Sequence, residues 1–256
     1  MPDSSYFEAR QQALRNELAR RKLPFFVVTK PENLFYLTGF RGSAGIVLFG
    51  QDEAVLLVDP RYTVQAREAA AGVEIREVRT GLHQAAGAVL RGLHARRIGF
   101  EDGHLTVEQF QLLRQAGPSK ASWAPGGGMV EDLRVSKDDL EIDCIRQACE
   151  LTARAFEATL PLVKPGVRER ELASELDYRM RRNGAEGTAF ETIVASGPRA
   201  ALPHARPSAR ALEPGELVII DLGAILGGYA ADMTRTVYLG IPGRRVRRLY
   251  QEEPWD

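Results

Sequence analysis

Cysteine and histidine are scarce in this chain, at two and four residues among 256. Cys144 and Cys149 stand five residues apart on one predicted helix, poorly placed to bond with each other. They exclude a disulfide scaffold and read as free thiols of a reducing cytoplasm. Three of the four histidines, His83, His94 and His104, lie in the N-terminal region. No run of 18 apolar residues occurs, so no membrane span is expected. Charge of one sign is also lacking: 34 basic residues balance 34 acidic ones. Bulk electrostatics therefore gives no reason to expect nucleic acid or an anionic membrane as partner. The four arginines between Arg244 and Arg248 read as a solvated helix face. The opening segment, "MPDSSYFEARQQALRNELARR", is a charged amphipathic helix and not a signal peptide.

What is present is ample apolar material, 44% of the chain, and enough length for two domains. A helix over residues 6–21 leads into the strand "PFFVVT". Residues 46–49 and 54–58 form a hairpin around "GQDE". A helix over 62–71, a strand near 73–78, a helix over 82–93, the strand "RIGFE", a helix over 107–115 and a short strand near Ser122 follow. This alternation indicates an α/β domain with a mixed sheet, at residues 1–130. "APGGGMVEDLRVSKDD" breaks the pattern and marks the boundary, with Ser136 as a cap for the next helix. The second domain, residues 136–256, holds helices over 137–162 and 167–183, the latter stopped by Gly184. A strand over 190–195 comes next. The chain closes with a helix that starts at Arg244 and is ended by Pro254.

The segment "GELVIIDLGAILGGYAADMTRTVYLG" carries the chemistry. Gly227-Gly228 is a favoured two-residue turn between two β-rich runs. Leu226 then pairs with Tyr229, and paired positions sum to 455. Asp221 falls opposite Thr234, and Asp232 opposite Gly223, so all four share one face. The carboxylates become diagonal neighbours, roughly 7 Å apart at the backbone, with Gly223 leaving a gap between them. A three-residue loop would flip this register. Aspartates in an apolar strand are expected to be buried and so to need a partner. Arg235 points to the other face by parity. A shared hard cation meets the need, and so do ordinary salt bridges and hydrogen bonds to distant residues. His204, seventeen residues ahead of Asp221 in a Pro-flanked loop, reads either as a functional group or as a loop histidine binding water.

Taken together, "IVASGPRAALPHARP", "VIIDLGA" and "ADMTRT" resemble the aminopeptidase P and prolidase family, the pita-bread metallopeptidases. The N-terminal "NLFYLTGFRGSAGIVLF" and "LLVDPRY" resemble the same family's creatinase-like N-terminal domain. The resemblance extends to about Arg248. It implies that Asp221 ligates one metal and Asp232 bridges two. It implies that His204 stabilises the reacting peptide group or the tetrahedral intermediate. The metals are manganese, cobalt or zinc, which lower the pKa of bound water to make the nucleophile. The implied substrates are proline-containing peptides, cut at the Xaa-Pro bond. The implied assembly is a homodimer through the N-terminal domain.

The family draws a further His and two Glu ligands from the second half of the pita-bread domain, and only the first half resembles this chain. The expectation is therefore a mixed-sheet α/β domain followed by half of an α+β pita-bread domain. The 256 residues are expected to be a truncated, inactive form with weak or absent metal binding. A gene fragment, a frameshift product and an incomplete chain all fit that expectation. Two other classes stand beside the Xaa-Pro peptidase. One is a non-catalytic pita-bread module that binds peptides or proteins, as relatives resembling histone chaperone subunits do. The other is a creatinase-like amidinohydrolase without metal. Retention of both aspartates favours the metal enzyme over each.

Overall fold

Side-chain alternation along the central strands organises the first half of the chain. The structure, a computed structural model, describes residues 4–252. These divide into two units, on either side of the junction between Asp138 and Asp139.

The first unit runs α1 (Ser4–Arg20), β1 (Phe25–Val28), α2 (Pro31–Thr38), β2 (Ile46–Gly50), β3 (Ala54–Val58), α3 (Thr63–Ala69), β4 (Glu74–Glu77), α4 (Leu82–Gly92), β5 (Arg97–Phe100), α5 (Val107–Ala116), β6 (Ser122–Pro125) and α6 (Met129–Leu133). Its six strands form one sheet in the order β4-β3-β2-β1-β5-β6. The sheet is mixed: β1, β2 and β3 pair antiparallel, while β5 lies parallel to β1 and β6, and β4 parallel to β3. Strands β2 and β3 are buried at every position. Val47, Phe49, Leu56 and Val58 face a core shared with Leu14 and Leu18 of α1. Ile46, Leu48, Val55 and Leu57 face a second core with Leu90 of α4 and Leu113 of α5. Helices on both faces thus explain unbroken apolar runs.

Two helices of this unit are absent from the sequence expectation. Helix α2 opens on Pro31 and closes on Gly39, whose φ of 80° puts it in the left-handed region while its N–H donates to the Phe35 carbonyl. That is the usual start and stop chemistry of a short helix. Helix α6 lies inside the segment expected to be irregular, because Met129 and Val130 are needed in the core beside α1.

The second unit runs α7 (Asp139–Thr159), α8 (Glu169–Arg182), β7 (Gly187–Thr188), β8 (Ile193–Ser196), β9 (Leu217–Leu222), β10 (Ala224–Leu226), β11 (Tyr229–Ala230), β12 (Met233–Tyr238) and α9 (Arg244–Glu252). A 3-10 turn extends α7 over Leu160–Leu162. Helix α7 starts at Asp139, so Ser136 lies too far upstream to cap it. The strand expected over 190–195 starts only at Ile193. Two antiparallel ladders result, β11-β10-β7 and β12-β9-β8. Val218, Ile220 and Leu222 of β9 pack on Leu151 and Ala155 of α7 and on Leu172 and Leu176 of α8. Arg244, Arg245, Arg247 and Arg248 are exposed on α9, while the expected helix end at Pro254 lies outside the described residues. Among the described residues no helix is long and apolar enough to cross a membrane.

Candidate functional site

The register of the hairpin places the aspartates. Leu226 pairs with Tyr229 and Ile225 with Ala230 around Gly227 and Gly228, whose φ angles are 59° and 80°. Beyond the break the same register resumes: Met233 pairs with Leu222 and Thr234 with Asp221. The Thr234 hydroxyl donates to Asp221 Oδ1 at 2.6 Å. On the other side Asp221 pairs with Ile193 of β8.

The break explains Gly223. A Cβ there would lie 2.0 Å from the Ala231 carbonyl oxygen. The glycine permits a close backbone approach; the expected gap between the carboxylates is filled by that carbonyl. Ala231 donates instead to Ala224 at 2.9 Å, and Asp232 lies just outside β12.

The aspartates are also less buried than an apolar run suggests. Asp221 is half-buried and Asp232 exposed. The cause is alternation: Val218, Ile220 and Leu222 turn to the helices, and Asp221 takes the opposite, open face. Burial alone therefore does not compel a cation here.

That open face borders a cavity of about 390 Å³. Asp221, Asp232 and His204 all line it, so the three residues singled out in the sequence meet at one place. Phe190 and Ile193 supply its apolar wall, and Glu191 and Arg206 complete the rim. Arg206 Nε lies 3.2 Å from a Glu191 oxygen in an exposed pair. Such a pair contributes little to stability.

His204 is exposed at the tip of a loop with an elaborate base. Glu169, the first residue of α8, is fully buried. One of its carboxylate oxygens accepts from the Ser196 N–H and hydroxyl, both at 2.8 Å. The other accepts from Arg199 Nε at 3.1 Å, and from the Ser208 N–H and hydroxyl at 3.0 and 2.6 Å. Burial raises the Glu169 pKa, but the Ser208 and Ser196 donors outweigh it and hold the group below the usual carboxylate range. The loop repays α8: the Glu169 and Arg170 N–H groups donate to the Arg210 and Ser208 carbonyls, satisfying two donors that a helix start leaves open. Arg210 in turn donates to the Ser196 hydroxyl and to Glu216, which keeps the Glu216 pKa low. Sequence reading missed Glu169 because an acid in a helix's first turn is ordinary.

Among the described residues, no three His, Cys, Asp or Glu side chains are grouped so as to hold a metal. Neither Cys144 nor Cys149 takes part in a disulfide.

Comparison with known proteins follows the two units. The profile of Metallopeptidase family M24 matches residues 143–252, and that of the Creatinase/Prolidase N-terminal domain matches residues 10–136. The chain is 36% identical to the uncharacterized peptidase YqhT of Bacillus subtilis, over 94% of this chain and 68% of that one. It is 33% identical to the Xaa-Pro dipeptidase of Pyrococcus furiosus, over 88% of this chain and 63% of that one. The structure of an Xaa-Pro dipeptidase from Bacillus anthracis superposes with a TM-score of 0.90 at 33% identity, covering 96% of this chain and 68% of that one. The chain thus spans 63–68% of the length of these two curated relatives. It belongs to metallopeptidase family M24, with a creatinase-like N-terminal domain followed by part of a pita-bread domain.

Proposed function

We propose that this chain is part of a metal-dependent peptidase that hydrolyses the bond preceding proline in small peptides. The observation that carries the reading is the convergence of Asp221, Asp232 and His204 on one cavity. In this reading residues 1–130 are the creatinase/prolidase-like N-terminal domain and residues 136–256 the metallopeptidase portion.

Two divalent ions, manganese, cobalt or zinc, fit the donor set, because hard carboxylate oxygens suit such cations. Asp221 has one oxygen committed to Thr234 and a second left to ligate, and Asp232 lies exposed on the same cavity. When bound, such ions polarise the scissile carbonyl and lower the pKa of water. His204 presents an imidazole donor to the oxygen that gains charge as the carbonyl is attacked. Phe190 and Ile193 offer the apolar wall that a proline ring requires. The described residues supply only this partial donor set, so the 256-residue polypeptide alone binds divalent ions weakly and shows little turnover. The same reading makes the N-terminal domain the homodimer contact, testable by sedimentation. It also makes the location cytoplasmic, in keeping with Cys144 and Cys149 forming no disulfide.

A manganese titration followed by NMR tests the site. With four histidines in the chain, the His204 ring protons are resolvable. Paramagnetic broadening should appear at His204 before His83, His94 and His104, and should vanish in Asp221→Ala and Asp232→Ala. Uniform broadening of all four rings would overturn the assignment.

A further inference from the structure

We infer that Glu169 is a positioning residue: its buried carboxylate closes the base of the loop over residues 197–208 and so sets where the His204 imidazole stands on the cavity wall. The inference deepens the proposed function and rests on it for the role of His204. The geometry is specific. One carboxylate oxygen takes donors from both limbs of the loop, Arg199 on the outgoing limb and Ser208 on the returning one. The other oxygen holds Ser196, at the end of β8 where the loop departs. Arg199 then reaches across to donate to the Arg206 carbonyl at 2.5 Å, a second tie just below the tip.

His204 itself is exposed, next to the buried Ala205, whose N–H donates to the Leu202 carbonyl at 3.3 Å. Its placement therefore depends on the loop's base. All five groups that meet Glu169 donate, so only an acceptor-only group satisfies them, and the carboxylate is that group. A glutamine of the same shape offers one acceptor and turns an NH2 toward donors.

Amide hydrogen exchange on the 256-residue protein tests this. Glu169→Gln should raise exchange over residues 199–208 by about ten- to a hundredfold, the range expected when charge-assisted hydrogen bonds are lost. Amides of β9 and β12 should stay within about twofold of wild type, as the same loss confined to the loop requires. Ser208→Ala removes one donor and should raise exchange in the same segment by a smaller factor. It also decides the matter should Glu169→Gln fail to fold. The His204 ring resonances should shift in both variants without added metal, whereas His83, His94 and His104 should not. An unchanged loop in both variants, or an equal rise in the loop and in β9, would overturn the inference. If manganese fails to broaden His204 in the wild type, the proposed function fails, and the exchange result still decides the role of Glu169 in holding the loop.

Discussion

Substituting Gly223 by alanine should uncouple the hairpin that carries both aspartates. The new Cβ would sit 2.0 Å from the Ala231 carbonyl oxygen and 3.0 Å from a Phe190 ring carbon. Carbon and oxygen approach no closer than about 3.3 Å even in favourable contacts, so the backbone must part by roughly 1.3 Å. Two ladder bonds cross this point: Ala231 N–H to the Ala224 carbonyl at 2.9 Å, and Ala189 N–H to the Gly223 carbonyl at 2.8 Å. Losing them costs about 1 kcal/mol each, and residual overpacking costs about 1–3 kcal/mol more. Against this, alanine reduces the entropy of the unfolded chain by about 0.4–1 kcal/mol. The net loss is roughly 3 kcal/mol, a fall of about 10–15 °C in the melting temperature of a unit this size. Urea titration with pulse proteolysis, reading fragments from residues 139–256, measures it. Gly243→Ala is the control, since nothing lies within 4 Å of a Cβ there. If Gly223→Ala is as well tolerated as Gly243→Ala, the close-approach reasoning is refuted.

Other outcomes follow from the same geometry. Thr234→Val removes the 2.6 Å hydrogen bond to Asp221 and should weaken manganese broadening at His204 several-fold while leaving the fold intact; unchanged broadening would detach Thr234 from the site. Glu169 takes up its proton less readily folded than unfolded, so its stabilisation is present above about 4.5 and drains away as pH falls through the lower folded value. Glu169→Gln should therefore flatten the acid limb of the second unit's stability, read by urea titrations from pH 7 down to about 3. Glu101 of the first unit is opposite in sign: burial raises its pKa beyond what the Asn33, Thr29 and Lys30 donors recover. Its contribution is full below 4.5 and lost as pH rises through the folded value, a decline that Glu101→Gln should remove from the first unit's titration. Given manganese, whatever turnover the protein shows should favour an Xaa-Pro dipeptide over its Xaa-Ala counterpart, and equal rates would count against proline specificity.

Much of this was legible where one physical rule dominates. Short unbroken apolar runs on either side of "GQDE" located β2 and β3, and a glycine pair fixed the hairpin register to the residue, so that Thr234 is expected opposite Asp221 and stands there. The failures arose where two rules compete. "ELVIIDLGAIL" reads as an apolar strand with a buried aspartate, but only Val218, Ile220 and Leu222 of β9 turn to the helices, so Asp221 faces the open side. "APGGGMVEDL" reads as a linker, yet Met129 and Val130 were wanted by a core that forms around α1, more than a hundred residues earlier. Phe190 is expected to open a strand over 190–195, but β8 begins only at Ile193 and leaves the Phe190 ring on the cavity wall. Glu169 was illegible because its five partners come from Ser196, Arg199 and Ser208, residues with no local pattern linking them to a helix start.

The order of the first unit's sheet leaves β4 and β6 as its two rims. A rim strand offers unpaired backbone groups that can recruit another chain. Here β4 is "EIRE", with Arg76 paired to Glu74 at 2.6 Å, so a second strand would have to displace a lattice of charge. Opposite, β6 ends in Pro125, which has no N–H to give. Both rims thus resist lengthening of the sheet. Any lasting contact between copies of this unit must form through its helical surfaces, and a fibril nucleus would first have to strip β4 or β6 away.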